Sequence, residues 1–289
     1  MAEPDKTQVP AALLLFLKGM AMGAADTVPG VSGGTIAFVC NIYEELILSI
    51  QRCNFQALRI LFGQGLKAAW AYINGNFLLT LLLGILSSAL LLANMVSFLL
   101  ANYNYQVMAF FIGLILASSL FLRREVKVWD PTKLSLLLIG VLLAVLINLL
   151  PQSTEQAAAG FVFFSGAIAI CAMILPGISG AFILVLLGSY ETVLRALSEL
   201  DVALLSLFAA GCVVGLIAFS NLLAYLLKHF HEKTMALLLG ILLGSLYGIW
   251  PWQAFGQQAG SRVWTLFVLL IMMGFALVYC LELLGKRSK

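Results

Sequence analysis

Charge is what this sequence has least of. Asp, Glu, Lys and Arg together make up 10% of 289 residues, there are two histidines, and the formal net charge is only +3. So weak a basic field offers nothing to a polyanion, and no nucleic-acid partner is expected. The five cysteines, Cys40, Cys53, Cys171, Cys212 and Cys280, are scattered and include no CxxC pair. They read as small packing residues rather than as a disulfide framework or a metal centre. His229 and His231 lie in a basic loop, and neither a metal nor a cofactor is expected. No separate signal peptide is expected either, because the polar residues 1–10 lead straight into an apolar segment without a cleavage site.

What is abundant is apolar surface. Hydrophobic residues are 62% of the chain, and the mean hydropathy is +1.05. A soluble globule of this size would have to expose large apolar patches, so the class is an all-α polytopic membrane protein. Inside this apolar background lies GAADTVPGVSGGT, residues 23–35. Pro29, Gly30, Gly33 and Gly34 make continuous helix improbable there. Broken backbone at membrane depth survives only inside protein or beside a watery cavity, which makes the break a candidate binding site. LPGISGA at 175–181 repeats it: Pro29 matches Pro176, Gly30 matches Gly177, Ser32 matches Ser179 and Gly33 matches Gly180, all at an offset of 147.

The apolar arms flanking the first break, 11–25 and 35–50, are each about 15 residues, short of the ~20 that a full span needs. A re-entrant hairpin over 11–50 is therefore expected, then an amphipathic segment at 51–76, then spans at 77–101, 106–122 and 134–150. The second half, 151–289, repeats the plan with a hairpin at 157–190 and spans at 203–227, 234–250 and 263–284. Tyr43 and Glu44 match Tyr190 and Glu191 at the offset of 147, while Gly84, Asn94, Met108, Gly113 and Ser118 match Gly211, Asn221, Met235, Gly240 and Ser245 at 127. A hairpin plus three spans is an odd number of crossings, so the two repeats, 1–150 and 151–289, should be inverted. Inverted repeats with discontinuous helices are the pattern of alternating-access transport.

Thirteen of the 16 basic residues fall on one side if the N-terminus, 51–76, 123–133, 228–233 and the tail share it. The positive-inside rule then places both termini in the cytoplasm. At the breaks, Ser32 and Ser179 stand where each would cap a half-helix whose N–H groups and dipole favour an anion, phosphate above all. The site residues expected there are Pro29, Gly30, Ser32, Gly33, Gly34 and Thr35 with Pro176, Gly177, Ser179 and Gly180. Lys18 is read either as a neutraliser of the phosphate or as a snorkelling side chain, and Arg195 as a contact for an anionic headgroup or a surface partner of Glu191 and Glu199. Asp26 has no acidic counterpart, since Met173 occupies the matched position; it is read as the coupling group for a proton or sodium, or as a partner of Lys18. Glu44 and Glu191 are candidates for gating or for an interfacial role, and Asn94 and Asn221 for hydrogen bonds between helices.

MGAADTVPGVSGGTIAF at 22–38, with LPGISGAFILVLLGSYE at 175–191, resembles the bacterial PopT family of polyprenyl-phosphate transporters. The resemblance covers nearly the whole chain. It implies retrieval of undecaprenyl phosphate from the outer to the inner leaflet of the plasma membrane, and it carries over to Asp26, Pro29, Gly30, Ser32, Gly33, Gly34 and Thr35 and to Pro176, Gly177, Ser179 and Gly180. The second motif departs from the first in lacking its acid and its threonine. An integral membrane phosphatase acting on polyprenyl pyrophosphate, a carrier of a small anionic solute and a structural scaffold are the alternatives. Phosphatase chemistry needs a positioned acid or base and an arginine clamp, and neither tip contains Arg or His.

Overall fold

A chain crossing lipid must pair its own backbone groups, and α-helix is the solution a single segment has. The computed structural model describes residues 11–26, 32–91, 93–151, 159–250 and 261–287, and among these the regular structure is helical, with no strand. In chain order come α1 (Ala11–Asp26), α2 (Gly33–Val39), α3 (Tyr43–Arg52), α4 (Phe55–Gln64), α5 (Leu66–Tyr72), α6 (Gly75–Leu91), α7 (Ala93–Leu122) and α8 (Pro131–Leu149). Then follow α9 (Ala159–Ile174), α10 (Gly180–Leu186), α11 (Tyr190–Glu199), α12 (Val202–His229), α13 (His231–Gly244), α14 (Leu246–Ile249) and α15 (Ser261–Arg287). Among the described residues four stretches are long and apolar enough to cross a membrane, Phe98–Glu125, Pro131–Leu149, Val202–His229 and His231–Ile249, and three bent helix pairs raise the number to as many as seven. The protein is a multi-pass helical membrane protein.

The return arms differ from the expected 35–50 and its counterpart. Each breaks after seven residues, with α3 turning 119° from α2 and α11 turning 107° from α10. The cause is a single left-handed residue in each turn, Asn41 at φ 55° and Gly188 at φ 67°, which ends the helix and redirects the chain. These two positions are also 147 apart. Between 101 and 106, where a boundary between spans is expected, α7 is interrupted by a kink with non-helical backbone at Tyr103 (φ −135°, ψ 37°). Beside the kink, Asn102 donates its amide to the Phe98 carbonyl four residues back, at 2.8 Å. The same device corrects the reading of Asn221, whose amide bonds to Ile217 four residues back on its own helix, at 2.8 Å. The side chain of Asn94 lies outside the described residues. The segment 51–76 contains two helices, α4 and α5, meeting at Gly65 (φ 91°); Phe55, Phe62 and Leu66 stand exposed on them.

Four helix pairs carry most of the packing: α1 with α6, α9 with α12, α7 with α15 and α8 with α13. The first two form within one half of the chain, whereas the other two join the halves. Lipid tails are as apolar as leucine, so helices associate by close contact, and small residues permit it. Each of the four crossings has a glycine on both helices with the partner's backbone against it: Gly19 and Gly84, Gly166 and Gly211, Gly113 and Gly274, Gly140 and Gly240.

Where α8 and α13 begin, Lys133 is nearly buried. It donates to the Val128 carbonyl at 2.6 Å and to Glu232 at 2.5 Å. Asp130 caps α8 by accepting from the Lys133 N–H at 2.8 Å, and that bond holds its carboxyl below the usual carboxylate range. A depressed folded-state value means that the cap contributes above the ordinary carboxylate pKa and is lost as pH falls through the folded one. Lys133→Met should lower the thermal unfolding temperature by leaving Glu232 without its cation, and Glu232→Gln added to it should cost little more. Fully additive losses in that double-mutant cycle would show that the pair does not clamp the two helices.

Candidate functional site

The two breaks, about 140 residues apart in sequence, meet. On the first side Ser32 has extended backbone (φ −121°, ψ 141°) and caps α2, its hydroxyl accepting from Gly34 N–H at 3.0 Å. The same hydroxyl donates to the Met173 carbonyl at 2.7 Å, at the end of α9. On the second side, Gly177 N–H donates to the Thr35 hydroxyl at 2.9 Å. Ser32, Gly33, Gly34, Thr35, Pro176, Gly177, Ser179 and Gly180 are all buried, so the bonds from Gly34 to Ser32 and from Gly177 to Thr35 form where no bulk water competes.

Local sequence explains the junction. Pro176 disfavours helix at the residue before it, and α9 stops at Ile174. Gly177 then takes φ 87°, a conformation that side chains resist, with Ser245 packed against its open face. Ser179 opens α10 and accepts from Phe182 N–H at 3.4 Å. Gly34 presses on the chain end of α9: a Cβ there would stand 2.5 Å from the Ile174 carbonyl oxygen. Pro29 and Gly30 lie outside the described residues.

Asp26 ends α1, half-buried, and its carboxylate accepts from Gly33 N–H at 2.6 Å. Lys18, two turns earlier on α1, does not pair with it. Its ammonium donates to the Cys40 carbonyl at 2.8 Å, and Cys40 is the residue that ends α2. Eight residues of α1 rise about 12 Å and seven of α2 about 10 Å, so the two side chains of α1 grip α2 at both ends. The carboxylate meets the positive end of the α2 dipole and the ammonium its negative end. The expectation of N–H groups open to a phosphate thus meets a different arrangement at α2, where Asp26 holds the Gly33 N–H and Ser32 the Gly34 N–H. In the second half, the positions matched to Asp26 and Lys18 are Met173 and Ser165. Ser165 bonds to Ser189 at 2.6 Å, a neutral contact where the first half has a charged one.

The remaining candidates lie apart from the junction. Glu44, exposed at the start of α3, contacts His231 at 2.9 Å. His229 bonds to the Tyr225 carbonyl at 2.9 Å. Glu191 and Arg195 are exposed on α11, and among the described residues Arg195 forms no ion pair, so the expected pair with Glu191 or Glu199 is not made. Sequence reasoning passed over the backbone partners, the carbonyls of Met173, Ile174 and Cys40, because any residue supplies a carbonyl. Ser165 carried one usable signal, its offset of 147 from Lys18.

Residues 22–278 match the family described as VCA0040-like, undecaprenyl phosphate translocase-like. A protein of Vibrio cholerae serotype O1 named polyprenyl-phosphate transporter is 45% identical over 241 residues, 83% of this chain and 78% of its own length. One of the same name from Staphylococcus aureus is 32% identical over 278 residues, 90% and 92% of the two chains. No solved structure matches significantly.

Proposed function

We propose, from the premise that this chain belongs to the undecaprenyl phosphate translocase-like family, that it is a transporter of polyprenyl phosphate in the bacterial plasma membrane. It returns undecaprenyl phosphate from the outer to the inner leaflet, with both chain termini in the cytoplasm. The observation that carries this reading is the buried junction of two broken segments from opposite halves, the kind of place where a membrane carrier holds its substrate. Relatives named as transporters favour it over hydrolysis.

The mechanism we assign is alternating access by inverted repeats. Supporting it are the matched left-handed turns at Asn41 and Gly188, the similar bends that follow them, and the glycine crossings at Gly84 and Gly211 and at Gly113 and Gly240, each pair 127 apart. Two helix pairs stay within a half and two link the halves, an arrangement in which one unit can rock against the other.

Asp26 is the group proposed to couple transport to a proton or sodium. Its carboxylate lies where a phosphate approaching α2 would lie, so the two anions compete for the Gly33 N–H. Neutralising Asp26 weakens its charge-assisted hold on that donor, so that an anionic substrate can displace it, and substrate departure restores it. Ser32, Thr35, Ser179 and the glycines Gly33, Gly34, Gly177 and Gly180 shape the seat. Lys18 holds the far end of α2, while Arg195, Glu44 and Glu191 act away from it.

Liposomes containing the purified protein and undecaprenyl phosphate test the activity. Lipid exposed to an outer-leaflet phosphatase should fall as a cation gradient is applied in the direction that drives inward movement, and undecaprenol should not compete. Orientation is checked in the same membranes: a single cysteine at Leu200 should react with an impermeant thiol reagent from outside and one at Lys127 should not. Equal reaction at both positions would overturn the inverted arrangement.

A further inference from the structure

Away from the junction, a cavity of about 580 Å³ lies between α3 and the last turns of α12, within the range of ligand-binding clefts. Glu44, Leu48, Gln51 and Arg52 line it from α3, and Tyr225, Leu227, Lys228 and His229 are among those from α12. Leu48 and Leu227 give it an apolar wall. Among the described residues neither Arg52 nor Lys228 takes part in an ion pair, and the cavity's one carboxylate, Glu44, is engaged by His231 at 2.9 Å. Two cations without counter-ions therefore share a cleft with an apolar wall.

The counterpart in the other half lacks this chemistry. The residues matched to Leu48 and Arg52 are Arg195 and Glu199, and the residue matched to Lys228 is Ala101. The cationic cleft is thus a feature of one face of the protein, and that face carries the basic loops.

We propose that this cleft is a second seat for a phosphate monoester carried on a lipid, occupied on the side to which the junction delivers it. Charge selects the class. A monoester carries about −1.5 to −2 at neutral pH and matches two cations, whereas a diester such as phosphatidylglycerol carries one negative charge. Arg52 can take two of the phosphate oxygens in its planar fork, and Lys228 supplies a point charge beside it. The apolar wall receives the first part of the chain. This inference rests on the reading of the protein as a polyprenyl-phosphate carrier.

The test uses the full chain with its five cysteines replaced, Leu48→Cys added, in phosphatidylcholine nanodiscs. With undecaprenyl phosphate at about ten times its dissociation constant, labelling at position 48 by a water-soluble maleimide should slow about tenfold, the fraction of seats left empty. Undecaprenol, phosphatidylglycerol and inorganic phosphate should each leave the rate unchanged. Arg52→Gln with Lys228→Gln should remove the protection while native mass spectrometry still finds lipid bound, and Arg52→Lys with Lys228→Arg should keep most of it. With Arg52 and Lys228 in place, lipid bound without protection overturns the second seat and leaves the carrier reading standing, as does protection that survives in the Arg52→Gln, Lys228→Gln protein; no lipid bound at all overturns that reading as well. Equal protection by inorganic phosphate or by phosphatidylglycerol overturns the assignment to a lipid monoester.

Discussion

Replacing Gly34 by alanine should abolish transport and destabilise the protein, whereas the same change one residue earlier should leave it folded. The two glycines face different neighbours. At Gly34 the new methyl would stand 2.5 Å from the Ile174 carbonyl oxygen and 3.1 Å from that of Met173. These are backbone atoms at the end of α9, and they can give way only if the two tips separate. Separation breaks the part-buried Ser32 bond to Met173 and the buried Gly177 bond to Thr35. Overpacking of this kind costs about 1–3 kcal/mol, and the orphaned donors add to it. At Gly33 the methyl would meet the Asp26 carboxylate at 2.6 Å, the free end of a side chain that can rotate away. Ser32→Ala should fall between them, losing a cap worth about 1 kcal/mol and the bond to Met173. Thermal unfolding of the purified variants, read beside lipid flux in liposomes, checks the order. A Gly34→Ala protein with full flux would mean that the junction opens without consequence and has no part in transport.

Asp26→Asn should separate coupling from binding. The amide oxygen can still accept the Gly33 N–H, so the contact at the start of α2 survives while the charge is gone. Expression and binding of undecaprenyl phosphate should stay near wild type, but movement of lipid against its gradient should disappear, together with any response to pH. Gly33→Ala should approach the same behaviour by another route, since it expels the carboxylate from the N–H without neutralising it. Gradient-driven flux in liposomes measured across several pH values decides the matter. Wild-type flux by Asp26→Asn at every pH would remove this carboxylate from the coupling step.

Much of this protein was legible in one dimension. Hydrophobicity and the shortage of charge determine a helical membrane protein, because lipid leaves backbone groups few other partners. Pro29, Gly30, Pro176 and Gly177 marked the interruptions, since these residues act through their own torsion angles and need no neighbours. Constant offsets between matched residues tied the two interruptions together.

Only the tertiary structure decided how the interruptions are used. That Ser32 reaches the Met173 carbonyl, that Thr35 receives Gly177, and that Gly34 lies against Ile174 depend on backbone atoms, which every residue possesses and no composition reveals. The sharp turns after α2 and α10 were hidden for a related reason: apolar residues stand on both sides of the short polar stretch at Asn41, Tyr43, Glu44 and Glu45, and where the chain turns there is decided by a single left-handed residue, Asn41. Asp26 and Lys18 looked like partners because they sit two turns apart on one helix. Packing of α2 alongside gives each a nearer one, a terminus of opposite partial charge, and the pair becomes a grip on the half-helix rather than a salt bridge.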